Sequence, residues 1–413
     1  MKDEQSADTS GRRFERDLGA IRDCRILIVD DDIIYRTHIS RILENRGFTN
    51  IGTAVGGRDA LVQIDRTPPD LVILDIVMPD LDGFQVCAHL RANPAFADLP
   101  ILVQTGLDRT ADRVRVFECG ATDLVSKPTN ERELIARISI HLENRLLIQG
   151  LTSYQRRTQE ELSLARTMQQ AILPSASQLH RIAECYGVDV AGFVEPCSEI
   201  GGDLWGIRAI DQTRFGLYLF DFCGHGVAAA LNTFRIQTLI GALWDFAGDP
   251  SVFLATLGLR LYELLEPGLF ATMFYAAIDS RRKVMDFAAA GASATVVVDD
   301  AGGPSRLLDG SGLPLGITDG ARYPCRHAAL PSGSSLFLVS DALLETRGAD
   351  GTARGEAGFV ALAERSAHET GAAGAIAAIA RDFEQCLSGP AEDDLTAVCM
   401  RWRSRRRKAP AIC

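Results

Sequence analysis

The sequence predicts two folded units: an α/β unit with a doubly wound parallel sheet, then an α+β unit with two packed antiparallel sheets flanked by helices. From Cys24 to about Leu142, short apolar runs alternate with helix-like stretches, which is typical of a parallel sheet with helices on both faces. After Ser175 the strand-like runs follow one another in hairpins instead. The length of 413 residues also exceeds one ordinary domain.

The composition is that of a globular protein in a reducing compartment. Hydrophobic residues make up 46% and charged residues 23%, and no apolar run is long enough for a membrane span. The ten cysteines contain no C-x-x-C pair, so we expect free thiols and a cytoplasmic location. The net charge of -11 and the lack of a helix-turn-helix pattern argue against nucleic acid as a partner.

Both ends of the chain are predicted to be loose. Residues 1–23 form a polar leader without the apolar core of a signal peptide. Residues 403–413 form a basic tail, which is typical of a solvated, disordered end. Contact of this tail with an acidic partner or an anionic membrane is the less favoured alternative.

The first unit is expected over residues 24–142. Its strand-like runs are 25–29, 51–55, 71–74, 101–105 and 123–126, and its helix-like stretches are 33–45, 58–65, 83–91, 108–119 and 131–143. Ligands of parallel sheets bind at the carboxyl ends of the strands, so the residues that follow each strand are the candidates for a site.

Acids, a hydroxyl and a lysine stand at those strand ends. Asp30 and Asp31 follow the first strand, Asp75 the third, Thr105 the fourth and Lys127 the fifth. Acids at this density need a divalent cation or a lysine to offset their repulsion. A metal-held carboxylate can attack a phosphoryl donor, and a lysine and a hydroxyl can hold the acyl phosphate that forms.

The motifs VDDD, LDIVMPDLDGF, QTG and SKP resemble the receiver domain of two-component response regulators, which has a flavodoxin-like fold. The resemblance covers nearly all of 24–142 and implies a histidine kinase as partner and Asp75 as phospho-acceptor. It implies Thr105 and Lys127 as the switch pair. One Mg²⁺ or Mn²⁺ would be held by Asp30, Asp31, Asp75 and the carbonyl of Val77.

One position departs from that pattern. Leu124 stands where the family often has Tyr or Phe, so a signal through the last helix is expected in place of an aromatic swing coupled to Thr105. The alternative for the whole constellation is an acid-rich turn in a domain that is not phosphorylated.

Residues 143–174 are predicted to form a connecting helix that stops at Pro174. One reading is a single helix that packs one stripe on a neighbouring domain. The other is a parallel coiled-coil homodimer with an imperfect centre, through which the receiver changes register or order. The heptad seam would comprise Leu147, Leu151, Tyr154, Thr158, Glu161, Ala165, Met168 and Ile172.

The second unit is expected over residues 175–402. Its strand-like runs are 187–196, 203–210, 214–222, 272–279, 283–291, 294–300, 334–341 and 395–402, and its helices are expected at 227–246, 251–265, 358–366 and 372–386.

At four places in this unit, an aspartate lies within or next to an apolar strand-like run. Asp203 follows a glycine pair, Asp221 lies in an apolar run, Asp341 ends one and Asp393 opens the last strand. Unpaired buried charge is costly, and two hard cations would resolve all four conflicts together. For the first two acids, the alternative is that one caps the following helix and the other sits in a turn.

The order GGD…DFCGHG…SDALLE…DDLTAV resembles the metal-dependent PPM (protein phosphatase 2C-like) serine/threonine phosphatases of the RsbU/SpoIIE branch, over about 184–401. LARTMQQAILP resembles the segment just before their catalytic domain. The resemblance implies two Mg²⁺ or Mn²⁺ ions, with Asp394 in a supporting role. The implied metal ligands, which are also the catalytic residues apart from the carbonyl, are Asp203, Asp221, the Phe222 carbonyl, Asp341 and Asp393.

Four further residues qualify the resemblance. The family often has an acid at Gly206 and a His at Ala292, both near the substrate rim in its pattern, and a Gly at Ala342. His225, between two glycines, is a candidate catalytic acid, although a capping or packing role is the favoured reading.

The sequence thus predicts a response regulator whose output is a protein serine/threonine phosphatase controlled by phosphorylation of Asp75. The implied substrate is a phosphorylated anti-sigma-factor antagonist of the STAS type. The alternative is a phosphorylation-gated adaptor whose phosphatase fold sequesters a partner without hydrolysis.

Overall fold

The computed structural model divides between Thr158 and Gln159 into two compact units. The expectations for His225, for most of the leader and for nearly all of the tail lie outside the described residues. The structure describes residues 19, 21–106, 110–224, 226–299, 302–347, 352–387, 389 and 391–403.

The first unit is a five-stranded parallel sheet, as predicted, and its strands lie in the order β2-β1-β3-β4-β5. Its strands alternate their side chains between two cores: Leu27 and Val29 pack on one face, and Ile26 and Ile28 on the other. The strands are β1 Ile26–Val29, β2 Ile51–Ala54, β3 Leu71–Asp75, β4 Ile101–Thr105 and β5 Asp123–Ser126. The helices between them are α1 Ile33–Asn45, α2 Gly57–Arg66, α3 Gly83–Ala92 and α4 Thr110–Glu118.

One uninterrupted helix, α5 Glu131–Ile172, replaces the two helices expected at 131–143 and 143–174. It continues through Gly150, because a single exposed glycine costs a helix only about 1 kcal/mol. Every residue from Leu147 to Arg157 is exposed. The choice between a stripe packed on a domain and a homodimer seam therefore stays a prediction.

The second unit contains two five-stranded sheets, in the orders β13-β10-β9-β8-β7 and β12-β11-β14-β15-β6, with antiparallel pairing throughout. One apolar core joins the sheets: Leu217 and Phe274 of the first meet Leu336 and Val398 of the second. The strands are β6 Val188–Glu195, β7 Leu204–Ala209, β8 Arg214–Phe222, β9 Ala271–Asp279, β10 Val284–Ala290, β11 Thr295–Asp299, β12 Arg306–Leu308, β13 Arg326–Ala329, β14 Ser334–Val339 and β15 Leu395–Trp402.

Helices flank the two sheets. Separate apolar clusters lie under α7 and α8 on one side and under α10 and α11 on the other. The helices are α6 Ala176–Tyr186, α7 Val227–Ala242, α8 Pro250–Leu264, α9 Asp341–Glu345, α10 Gly355–Ala367 and α11 Gly371–Cys386. Within the described ranges, no helix combines the length and the apolarity needed to cross a bilayer.

The structure differs from the expected elements in short segments. The strand expected to reach Asp341 ends at Val339, and Asp341 is instead the first residue of α9. Helix α6 and the strands β12 and β13 were not predicted. The two strands lie at sheet edges and are at most four residues long, so they carry too little apolar alternation to stand out.

Candidate metal centres

The first candidate centre lies at the carboxyl ends of the first unit's strands. Asp30 follows β1, and Asp75 ends the neighbouring strand β3; both are buried. The ammonium of Lys127 lies 2.7 Å from Asp30 Oδ2 and 3.0 Å from Asp75 Oδ1. One ligand oxygen each of Asp30, Asp31 and Asp75 lies within 4.8 Å of the others. The edge thus gathers three acids and one lysine.

The charges at this edge depend on one another. Burial raises the pKa of Asp75, against the hydrogen bond from Lys127, which lowers it. Burial alone would lower the pKa of Lys127, but its hydrogen bonds to Asp30 and Asp75 raise it on balance. Lysine therefore neutralises part of the acidic charge, and the remainder suits a hard cation.

Local sequence brings the phospho-acceptor candidate and α3 into close contact. Asp82 caps α3 in a reciprocal capping box with Gln85. A Cβ on Gly83 would lie 2.3 Å from the Asp75 carbonyl oxygen, so only glycine allows this approach.

Thr105 is buried at the end of β4, and its carbonyl accepts from the Lys127 amide at 2.8 Å. Val77 is exposed in the loop after β3.

Sequence reasoning missed Tyr35 in this centre. The Lys127 ammonium lies 4.3 Å from the centroid of the Tyr35 ring, which attracts the cation. The Tyr35 hydroxyl is hydrogen-bonded to Thr129, two residues beyond Lys127. An aromatic residue in the first turn of α1, just after the acidic run, was the available signal.

The second candidate centre begins with Asp203 and Asp221, on the hairpin of β7 and β8. Asp203 is 2% exposed, and no described group hydrogen-bonds its Oδ2. Burial, then the charges of Asp221 and Asp394, raise the pKa of Asp203. Burial and the Asp341 charge raise the pKa of Asp221 to about 7, although a hydrogen bond with Asp203 lowers it. Burial and neighbouring acids thus disfavour the charged forms of both carboxylates.

Asp341 and Asp393 interact with this pair. Burial, then the charges of Asp393 and Glu345, raise the pKa of Asp341, and Asp393 also acts on Asp221. Among the described residues, however, the tight acidic group of this unit consists of Asp393, Asp394 and Cys197. The four predicted acids are electrostatic neighbours without forming one cluster of mutual ligand distances, so their assignment as metal ligands stays a prediction.

Asp394 has a structural task that agrees with the supporting role expected for it. Its Oδ1 accepts from the Cys197 amide at 2.8 Å, and its Oδ2 accepts from the Gly202 amide at 2.5 Å. Cys197 was missed from the sequence. Burial, then the charges of Asp394 and Asp393, raise the pKa of this thiol to about 11, and a protonated thiol is a poor metal ligand.

The glycine pair before Asp203 is required by close contacts. A Cβ on Gly201 would lie 2.4 Å from Asp394 Oδ2, and one on Gly202 would lie 2.7 Å from the Phe222 carbonyl oxygen. The groups that lie close to the glycine backbone here therefore belong to the protein itself.

Two of the positions that depart from the family pattern are buried. Gly206 is buried in β7, and a Cβ there would lie 2.2 Å from the Tyr218 hydroxyl oxygen, so an acidic side chain does not fit at this position. Ala342 is buried in the first turn of α9.

Comparison with known families places both units. The model of the response regulator receiver domain matches residues 26–139, and the model of Stage II sporulation protein E (SpoIIE) matches residues 211–403. The chain joins a receiver domain to a SpoIIE-type phosphatase domain. The SpoIIE match includes Asp221, Asp341 and Asp393 and begins after Asp203, whose place in the centre therefore depends on the geometry above.

Curated relatives of this receiver–SpoIIE chain match its receiver part. Response regulator MprA of Mycolicibacterium vanbaalenii is 44% identical over 114 residues, which is 28% of this chain and 48% of the relative. Response regulator PleD of Caulobacter vibrioides is 35% identical over 127 residues, 31% of this chain and 28% of the relative. The chain thus spans about half the length of these relatives or less.

A solved structure supports the fold of the second unit. The SiaA-PP2C domain of Pseudomonas aeruginosa is 22% identical to the chain, with a TM-score of 0.54. The match covers 60% of this chain and 98% of that one.

Proposed function

We propose that the chain is a metal-dependent protein serine/threonine phosphatase whose activity is set by phosphorylation of Asp75. The observation that carries this proposal is the surplus of buried negative charge around Asp203 and Asp221. A buried carboxylate oxygen without a hydrogen bond is expensive unless a cation completes its surroundings.

The donor sets fit magnesium or manganese, because both sets consist of carboxylate and carbonyl oxygens. Two such ions in the second unit, when bound, would activate a water molecule for in-line attack on a phosphoryl group. One ion would bind in the receiver, to Asp30, Asp31, Asp75 and the Val77 carbonyl. Two would bind in the second unit, to Asp203, Asp221, the Phe222 carbonyl, Asp341 and Asp393.

The residues of the chain prepare each site for its task. In the receiver, the Asp75 carboxylate accepts a phosphoryl group from a histidine kinase, and Lys127 and Thr105 hold the acyl phosphate. In the second unit, Asp394 fixes the backbone at Cys197 and Gly202 and so supports the loop that carries Asp203. The signal passes through α5, the helix that starts within the receiver.

The substrate that we propose is phosphoserine or phosphothreonine on an anti-sigma-factor antagonist of the STAS type, in the cytoplasm. This choice follows the resemblance of the second unit to the RsbU/SpoIIE branch. Dephosphorylation of such an antagonist would change the availability of a sigma factor.

Turnover by the purified chain tests the proposal. We expect phosphate release from the phosphorylated antagonist with Mn²⁺, a rate that changes when a small-molecule phosphoryl donor modifies Asp75, and loss of release in Asp221→Ala. The matched control is Asp245→Ala, since Asp245 is an exposed acid of the same unit. No release by the wild-type chain, with or without the donor, would contradict the proposal.

The same variant separates the enzyme from a non-hydrolysing adaptor. An enzyme loses turnover in Asp221→Ala and keeps partner binding. An adaptor shows no turnover in either form and binds its partner equally well in both.

A further inference from the structure

Gln169, near the end of α5, holds the peptide groups of one residue in the loop before Asp203. Its Nε2 donates to the Gly201 carbonyl at 2.7 Å, and its Oε1 accepts from the Gly201 amide at 3.2 Å. Gln169 is 9% exposed, whereas its neighbour Gln170 is exposed. A buried side chain that satisfies both backbone groups of one residue acts as a specific clamp.

The clamped loop has no regular structure of its own. Gly201 and Gly202 precede β7, and their remaining hydrogen bonds come from separate elements. Asp394 accepts from the Gly202 amide, and Thr233 of α7 donates to the Gly202 carbonyl at 3.3 Å. The position of the next residue, Asp203, therefore depends on side chains from three places, one of which is α5.

A small cavity joins the clamp to the carboxylate. It has a volume of about 60 Å³, and its lining includes Gln169, Leu173, Val194 and Asp203. Gln169 and Asp203 both line it, and Asp203 has a buried oxygen without a hydrogen-bond partner among the described groups. A shift of α5 at Gln169 would change the hydrogen bonds that hold Gly201, and with them the position of this oxygen.

We propose that Gln169 is a positioning residue that fixes the Gly201–Gly202 loop and thereby sets the affinity of Asp203 for a divalent cation. The proposal rests on the metal site of the proposed function. Gln169 lies on the helix that begins at Glu131. A movement of that helix would therefore shift the Gly201–Gly202 loop and so change the metal site.

Two variants with matched controls test the clamp in the full-length chain. Gln169→Ala removes both hydrogen bonds, and Gln169→Glu keeps an acceptor but sets a carboxylate oxygen against the Gly201 carbonyl. Gln170→Ala and Gln170→Glu make the same changes on the exposed neighbour.

The first measurement, amide hydrogen exchange of residues 200–204, needs no metal and no substrate. Loss of a typical hydrogen bond corresponds to exchange faster by about three- to tenfold in the Gln169 variants. Unchanged exchange in folded Gln169→Ala and Gln169→Glu would overturn the clamp.

The second measurement is Mn²⁺ binding by electron paramagnetic resonance, without substrate. Removal of a residue that supports a metal ligand weakens affinity by about 10- to 100-fold, and we expect this for the Gln169 variants alone. Faster exchange with unchanged Mn²⁺ affinity, or a wild-type chain that binds no Mn²⁺, would overturn the effect on Asp203. If both measurements respond but the wild-type chain releases no phosphate, the clamp stands and the proposed function fails.

Discussion

Asp221 shows how a single buried acid links stability to function. Burial and neighbouring acids raise its pKa to about 7, above the value of 3.8 for an unperturbed carboxyl. The folded chain therefore binds this proton more tightly than the unfolded chain does. Without metal, the resulting stabilisation is fully present below about pH 4 and is lost as the pH rises through about 7.

Asp221→Asn should accordingly stabilise the metal-free second unit at about pH 8, by roughly 1–3 kcal/mol, because it removes repulsion that no cation offsets. At about pH 5 the gain should be much smaller, since the proton already neutralises the carboxylate. Thermal unfolding with a chelator at the two pH values measures this, with Asp245→Asn as control. A variant less stable than the wild type at the higher pH would contradict the account of this residue.

Asp75 is the second acid whose chemistry can be tested alone. We expect Asp75→Asn to abolish uptake of a phosphoryl group from a small-molecule donor in the presence of Mg²⁺, as read by intact-protein mass spectrometry. Asp80→Asn is the control: Asp80 is exposed nearby at a φ of 67°, a conformation that asparagine also tolerates. Equal uptake by Asp75→Asn and the wild-type chain would show that another residue is the acceptor.

At the scale of single residues, the sequence was enough to identify the acids but not the residues that interact with the two sites around them. Asp221 and Asp341 stand out because they lie in or at the end of an apolar run, and Asp203 because it follows a glycine pair. Gln169, Cys197 and Tyr35 are ordinary residues in their own segments. Their roles depend on partners 32 or more positions away, and such contacts exist only after folding.

The glycine pair before β7 is sensitive to substitution because its backbone lies against other groups of the unit. Gly201→Ala would set a methyl group 2.4 Å from Asp394 Oδ2, and we expect a loss of about 1–3 kcal/mol in stability. Gly150→Ala in α5 meets no atom within 4 Å and should add about 0.5–1 kcal/mol. Chemical denaturation of the two variants measures both signs. Equal stability of Gly201→Ala and the wild type would mean that Asp394 does not approach this loop.

Elements were predictable where an apolar run is long. Strands β8 and β15 have the predicted bounds, because each is buried along most of its length. Helix α9 was not predicted, and its first residue, Asp341, was taken as the end of the preceding strand because only Ser340 separates it from the apolar run 336–339. Ser340 is the N-cap of α9 but makes no side-chain capping hydrogen bond, so no capping signal in the sequence marks this boundary.

At the scale of the whole chain, one stretch of α5 carries exposed apolar side chains. Leu147, Leu151 and Tyr154 of the predicted heptad seam are 60% exposed or more. This exposure favours the homodimer reading of residues 143–174, since a helix exposed on every side gains little from packing.

We therefore predict that Leu151→Arg shifts the chain from dimer toward monomer in sedimentation velocity. Gln149→Arg, on the opposite side of the heptad, should leave the distribution unchanged. A wild-type chain that sediments as a monomer at every concentration would rule out this seam.

Both units and their order along the chain were predictable, because each carries several motifs in a fixed sequence. The continuity of α5 was not, because the receiver's last helix and the connecting segment were identified from separate patterns.

The central claim is that cations occupy the buried acidic centre of the second unit. Anomalous scattering at the manganese edge, from crystals of the full chain grown with Mn²⁺, tests this most directly. We predict two peaks in the second unit among Asp203, Asp221, Asp341 and Asp393, and none there in Asp221→Ala. Acids of this centre that stay free of manganese in the wild-type crystals would contradict the account.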